Sequence, residues 1–150
     1  MNRTVNSITA RLSLRKPQEE SLEILANILE SIELSKTPDL VQALKTIEGM
    51  YPSVKDFERE FPSLCFALAT GVGKTRLMGA FIAYFYLTGR SHNFFVLAPN
   101  LTIYDKLISD FSPQSPKYVF KGIAEFATNQ PVIITGDNYE SGIGVRGRDL

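Results

Sequence analysis

The stretch ALATGVGKTR, residues 67–76, constrains this chain more than any other. Two glycines, a lysine and a threonine fall within residues 71–75, directly after the apolar run SLCFALA at 63–69. Glycine lets a backbone enter conformations closed to other residues. The run before the glycines reads as a buried parallel strand, since a strand covered on both faces is apolar throughout. The run after them, LMGAFIAYFYL at 77–87, reads as part of a helix over 73–87, buried on most sides and closed by Gly89.

A strand, a glycine turn and a helix in that order suit one kind of ligand. Backbone N–H groups in such a turn point inward at an anion, and the helix adds its positive dipole end. Lysine then reaches the β and γ phosphates of a nucleotide, and a hydroxyl holds Mg²⁺. Gly71 and Gly73 shape the loop, Lys74 is the cation, and Thr75 is the candidate metal ligand. Thr70, Val72 and Arg76 complete the nucleotide-facing stretch. The general pattern G-x-x-x-x-G-K-[ST] lacks its first glycine, since Leu68 stands five residues before Gly73.

The rest of the chain alternates helical and apolar extended patterns. Residues 1–16 are polar and mixed, and read as an arm or an edge strand. Leu22, Leu25, Ile28, Leu29 and Ile32 recur at helical spacing after Pro17. A second helix is expected in TPDLVQALKTIEGM, with Thr37 as its N-cap and Gly49 as its stop. YPSVKDFEREFP, 51–62, is a charged connector. NFFVLAP (93–99) and PVIITG (131–136) read as strands, LTIYDKLISDF (101–111) as a short helix, and KYVFKG (117–122) as a further strand. The polar tail from Asp137 onward reads as a loop in which Arg146 and Arg148 are more simply solvated than phosphate-bound. Strands alternating with helices imply an α/β domain with a parallel sheet, in which 63–69, 93–98 and 131–135 are neighbours joined by right-handed crossovers.

Composition narrows the partners. With 44% hydrophobic and 21% charged residues the chain matches ordinary globular proteins. Lys plus Arg and Asp plus Glu are both 16, so no global field draws the chain to nucleic acid or membrane, and any DNA contact needs a local patch. The single cysteine, Cys65, rules out an internal disulfide framework and suits a cytoplasmic location. Within its apolar run it reads as a core residue, and His92 as solvated. The longest apolar run falls short of the roughly 20 residues that span a bilayer, and the N-terminus lacks a secretory h-region.

The version A-T-G-x-G-K-T resembles motif I of superfamily-two helicases and translocases. Three stretches together, FPSLCFALATGVGKTRLMGAFIAYFYL, FVLAPNLTIYDKL and VIITGDNYESG, are similar to the large (Res) subunit of type III restriction enzymes. The resemblance covers residues 14–30 and 60–142. It implies a partial RecA-like P-loop NTPase fold with extra N-terminal helices. Residues 1–62 would be a helical segment with a glutamine-bearing motif, and 63–150 an incomplete ATP-binding lobe ending before motif II.

The resemblance also assigns residues. LRKPQEESLEIL aligns with the glutamine motif, so Gln18 would read the adenine edge, where a carboxamide matches one donor and one acceptor. Many relatives carry an aromatic there, and Lys16 and Pro17 stand in its place. Pro99, Asn100 and Thr102 match a motif that contacts the nucleic-acid backbone, and Thr135 and Gly136 a further such contact. The implied cofactors are ATP and Mg²⁺. The implied partners are double-stranded DNA, through the full-length protein, and a modification (methyltransferase) subunit that chooses the sequence.

Hydrolysis in this family also uses a carboxylate pair and arginines of a second lobe. The chain holds no Asp-Glu dipeptide, and neither Glu-x-Lys nor Asp-x-Lys, the nuclease signature. The expectation is an N-terminal fragment of a longer motor that binds Mg-nucleotide without turning it over. A P-loop regulatory module with no DNA role is the alternative. A GTPase or small-molecule kinase fits less well, because no Asn-Lys-x-Asp guanine reader and no basic lid are present.

Overall fold

Asn2 opens the first helix, where no helix was expected. In the computed structural model, which describes residues 2–141, its side-chain oxygen accepts the Thr4 and Val5 amides at 2.9 and 3.2 Å. That is an N-cap. The helix α1, Arg3–Leu12, follows and buries Val5, Ile8 and Leu12. This three-and-four spacing is amphipathic. The polar residues between those three positions hide it, so 1–16 is corrected from an arm or edge strand to a helix.

Five more helices follow: α2 (Lys16–Ser31), α3 (Leu40–Met50), α4 (Lys74–Leu87), α5 (Leu101–Phe111) and α6 (Ala124–Thr128), with a 3₁₀ turn at Tyr139–Ser141. Pro17 lies in the first turn of α2, as the sequence implies. The cap of α3 is Asp39, whose carboxylate accepts the Gln42 amide at 2.9 Å, in place of Thr37. Gly49 lies within α3, and the helix stops at Met50.

Helices α1, α2 and α4 pack against one another and hold the main core. Ile8 and Leu22 are fully buried there beside Ala80, Ala83 and Tyr84 of α4. Phe120, Ile123 and Phe126 close the same core, with Phe120 and Phe126 stacked at 4.2 Å. Beyond α2, a smaller cluster joins Ile28, Ala43, Ile47 and Phe57.

The parallel sheet is not formed. Residues 63–69, 93–98 and 131–135 form neither helix nor strand pairing among the described residues. The α/β RecA-like expectation is therefore corrected to a helical architecture, and 117–122 is a series of turns. The physical reason lies in what an apolar run reports. It marks chain that gains by leaving water, but not which neighbour supplies the hydrogen bonds a strand cannot make to itself. Here α1 and α2 cover the buried face of α4, and helix-on-helix packing supplies the core. Residues 93–98 and 131–135 stay largely outside it, with Phe95 89% exposed and Leu97 77%, whereas Leu64 and Phe66 of 63–69 pack half-buried against it. Cys65 is exposed too, so its placement in a core strand is corrected with the strand. Arg146 and Arg148 lie outside the described residues.

Candidate phosphate-binding site

The glycine loop keeps the local geometry its sequence implies. Gly71 has φ +82° and Gly73, the N-cap of α4, has φ +93°. Both values lie in the left-handed region, where a side chain is strained. Lys74, Thr75 and Arg76 are the first three helical residues. The Arg76 and Leu77 amides donate to the Gly73 carbonyl at 3.0 and 3.2 Å. The amides of Lys74 and Thr75 precede the helical ladder, at the positive end of the helix dipole. Thr70, Gly71, Lys74 and Arg76 are exposed, while Val72 and Thr75 are half-buried. A cluster of fixed donors and an exposed cation is thus open to an anion.

Gln18 lies directly beneath this loop. It is only 2% exposed, and both ends of its carboxamide are engaged. Its Oε1 accepts the Arg15 amide at 2.8 Å, and its Nε2 donates to the Gly73 carbonyl at 2.8 Å. A Cβ on Gly73 would stand 2.7 Å from that Nε2, so the absence of a side chain permits the contact. One Nε2 hydrogen and one Oε1 lone pair remain for another partner. Arg15 adds a second tie, from Nη1 to the Gly71 carbonyl at 3.3 Å.

A further cation approaches from α5. The Lys106 Nζ donates to the Thr75 hydroxyl at 3.3 Å and pairs with the Asp110 carboxylate one turn on. The Asp110 side chain is only 9% exposed, so the pair is anchored from inside the fold. The Thr75 hydroxyl, the candidate metal ligand, therefore faces a positive charge in this structure. No group of three or more His, Cys, Asp or Glu side chains placed to hold a metal occurs among the described residues. The donor set here is a hydroxyl that would share the ion with phosphate oxygens.

The expected nucleic-acid contacts are accessible but are not brought to one place by their own bonds. Pro99, Asn100 and Thr102 are exposed at the start of α5. The Asn100 Oδ1 accepts the Ile103 amide at 3.0 Å and so caps that helix. Thr135 forms its own turn, its N–H donating to Asn138 Oδ1 at 2.7 Å and its carbonyl accepting the Asn138 and Tyr139 amides. Gly136 is exposed within that turn.

Arg15, Lys106 and Asp110 were missed by sequence reasoning. For Arg15 a signal existed, since it stands three residues before Gln18, the spacing of an N-cap and its third helical residue. The Lys106–Asp110 pair is a four-residue helical spacing, but nothing local to it points at Thr75.

A family model described as type III restriction enzyme, res subunit, matches residues 11–143, a span that contains Gln18, the glycine loop, α5 and the Thr135 turn. No curated protein and no solved structure matches the chain.

Proposed function

The chain belongs to the family of type III restriction enzyme res subunits, and from that premise we propose that its glycine loop binds Mg-ATP. The supporting observation is the open cradle at Gly71–Thr75, with two left-handed glycines, the free end of α4 and the exposed Lys74. Lys74 meets the β and γ phosphates, and Thr75 holds the metal together with them. When bound, the magnesium ion neutralises phosphate charge. Thr70, Gly71, Val72, Gly73 and Arg76 line the approach.

Gln18 reads adenine with the hydrogen and lone pair its present bonds leave free. Because the same side chain holds Gly73, base recognition and loop shape depend on one residue. The exposed Pro99, Asn100 and Thr102, with Thr135 and Gly136, contact the DNA backbone without reading sequence. Double-stranded DNA is the partner proposed for these contacts, and a modification subunit selects the site. No carboxylate pair for hydrolysis is assigned within these 150 residues, and we assign the chain binding without turnover.

Thermal melting with and without Mg-ATP, beside a phosphate-release assay, tests this reading. Ligand at about 100 times its dissociation constant adds roughly 2.7 kcal/mol. That raises the melting temperature of a chain this size by roughly 5–10 °C. Lys74→Ala is expected to remove most of the rise, and a rise that survives it takes the loop out of its role. Gln18→Ala is expected to erase any preference for ATP over GTP analogues. Robust phosphate release by the unaltered chain contradicts the binding-only assignment.

A further inference from the structure

The contact between Lys106 and Thr75 is not explained by the folding of either helix. Thr75 sits in the first turn of α4. Lys106 comes from α5, 31 positions away, and spans to that hydroxyl at 3.3 Å. A lysine side chain 57% exposed could extend into water at no cost. It is held instead by Asp110, whose side chain is nearly buried and packed in place. The pair thus aims an ammonium group at the hydroxyl that the loop offers to a metal.

We propose that Lys106 is a resident cation of this site, standing on the Thr75 hydroxyl in the metal-free state and giving way when Mg²⁺ binds there. The inference rests on the nucleotide-binding reading above. Two cations cannot share one hydroxyl at contact distance, because like charges a few ångströms apart repel strongly outside bulk water. Lys106 therefore supports phosphate binding without metal and opposes metal entry.

Binding of a fluorescent, non-hydrolysable ATP analogue, measured in excess EDTA and in excess MgCl₂, tests the proposal. In Lys106→Met the metal-free affinity is expected to fall while the Mg-bound affinity holds or rises. The ratio of the two dissociation constants is expected to grow about three- to fivefold, the upper range for a solvent-facing ion contact. Lys106→Arg, which keeps the charge, is expected to stay near the unaltered ratio. Since Lys106→Met strands the Asp110 carboxylate, the double variant Lys106→Met/Asp110→Asn is measured beside it and is expected to show the same growth. An unchanged ratio in the double variant, with binding by the unaltered chain intact, overturns the role of Lys106 alone. Absence of analogue binding by the unaltered chain in both conditions overturns the nucleotide reading and this inference together.

Discussion

The α1–α2–α4 body and the segments 93–99 and 131–135 both carry large apolar side chains, yet those of the first are buried and most of those of the second face water. Leu22 in α2 is fully buried, whereas Phe95, Leu97, Val132 and Ile134 are all more than half exposed. The difference follows from the backbone. A helix satisfies its own N–H and C=O groups and needs only a neighbour for its apolar face. An extended segment needs a neighbour for its hydrogen bonds as well, and unpaired apolar edges are open to association. Three helices found each other here, and the runs read as strands did not find a ladder.

The largest effect that sharpens this contrast comes from truncating one side chain in each region. Leu22→Ala is expected to cost about 2–5 kcal/mol, because a cavity opens between packed helices. Leu97→Ala is expected to change stability by less than about 0.5 kcal/mol, as at other exposed positions. Urea unfolding followed by circular dichroism measures both. Comparable losses at the two sites would mean that segment 93–99 is buried in solution.

Within the glycine loop a smaller contrast separates backbone strain from contact. Gly71→Ala meets open space, so it carries only the left-handed strain of about 1–2 kcal/mol. Gly73→Ala carries the same strain and also displaces the Gln18 carboxamide. Breaking that bond adds about 1–3 kcal/mol for a buried group left unpaired. Denaturation midpoints of the two variants are expected to differ in that order. Equal midpoints would show that the Gln18–Gly73 bond contributes nothing to the fold.

The smallest effect concerns Tyr118, beside the core at the stretch of turns. Its hydroxyl is buried without a hydrogen-bond partner, and burial pushes its pKa up to about 12. The unfolded phenol ionises near pH 10. Between about pH 10 and 12 the unfolded chain therefore loses a proton that the folded chain keeps, and stability falls as pH rises. Below pH 10 both states hold the proton and no loss occurs. Tyr118→Phe is expected to leave stability at neutral pH unchanged or slightly raised and to flatten the alkaline decline. A decline of the same steepness in Tyr118→Phe would assign it to other groups, among them Tyr84, whose pKa burial also raises.

Read from sequence alone, α4 and α5 lie within a residue of where they form, and α2 starts where its pattern does but stops at Ser31, before Ile32, because periodicity and caps are local signals. The loop was equally legible, since glycines before a helix dictate backbone shape without reference to the rest of the chain. Lys74 was singled out by residue type and spacing and Gln18 by the family resemblance, but what Gln18 holds in the fold was not legible. Its bond to Gly73 spans 55 positions, and the approach of Lys106 to Thr75 spans 31. No pattern within a helix encodes such a distance. The sequence by itself determined which residues turn, coil and avoid water, because those preferences act over a few residues. Only the tertiary structure decided which buried faces meet, that α1 and α2 and no sheet cover α4, and which side chains converge on the loop. An apolar face is satisfied by any neighbour of fitting shape, and the choice among neighbours is made by the whole chain.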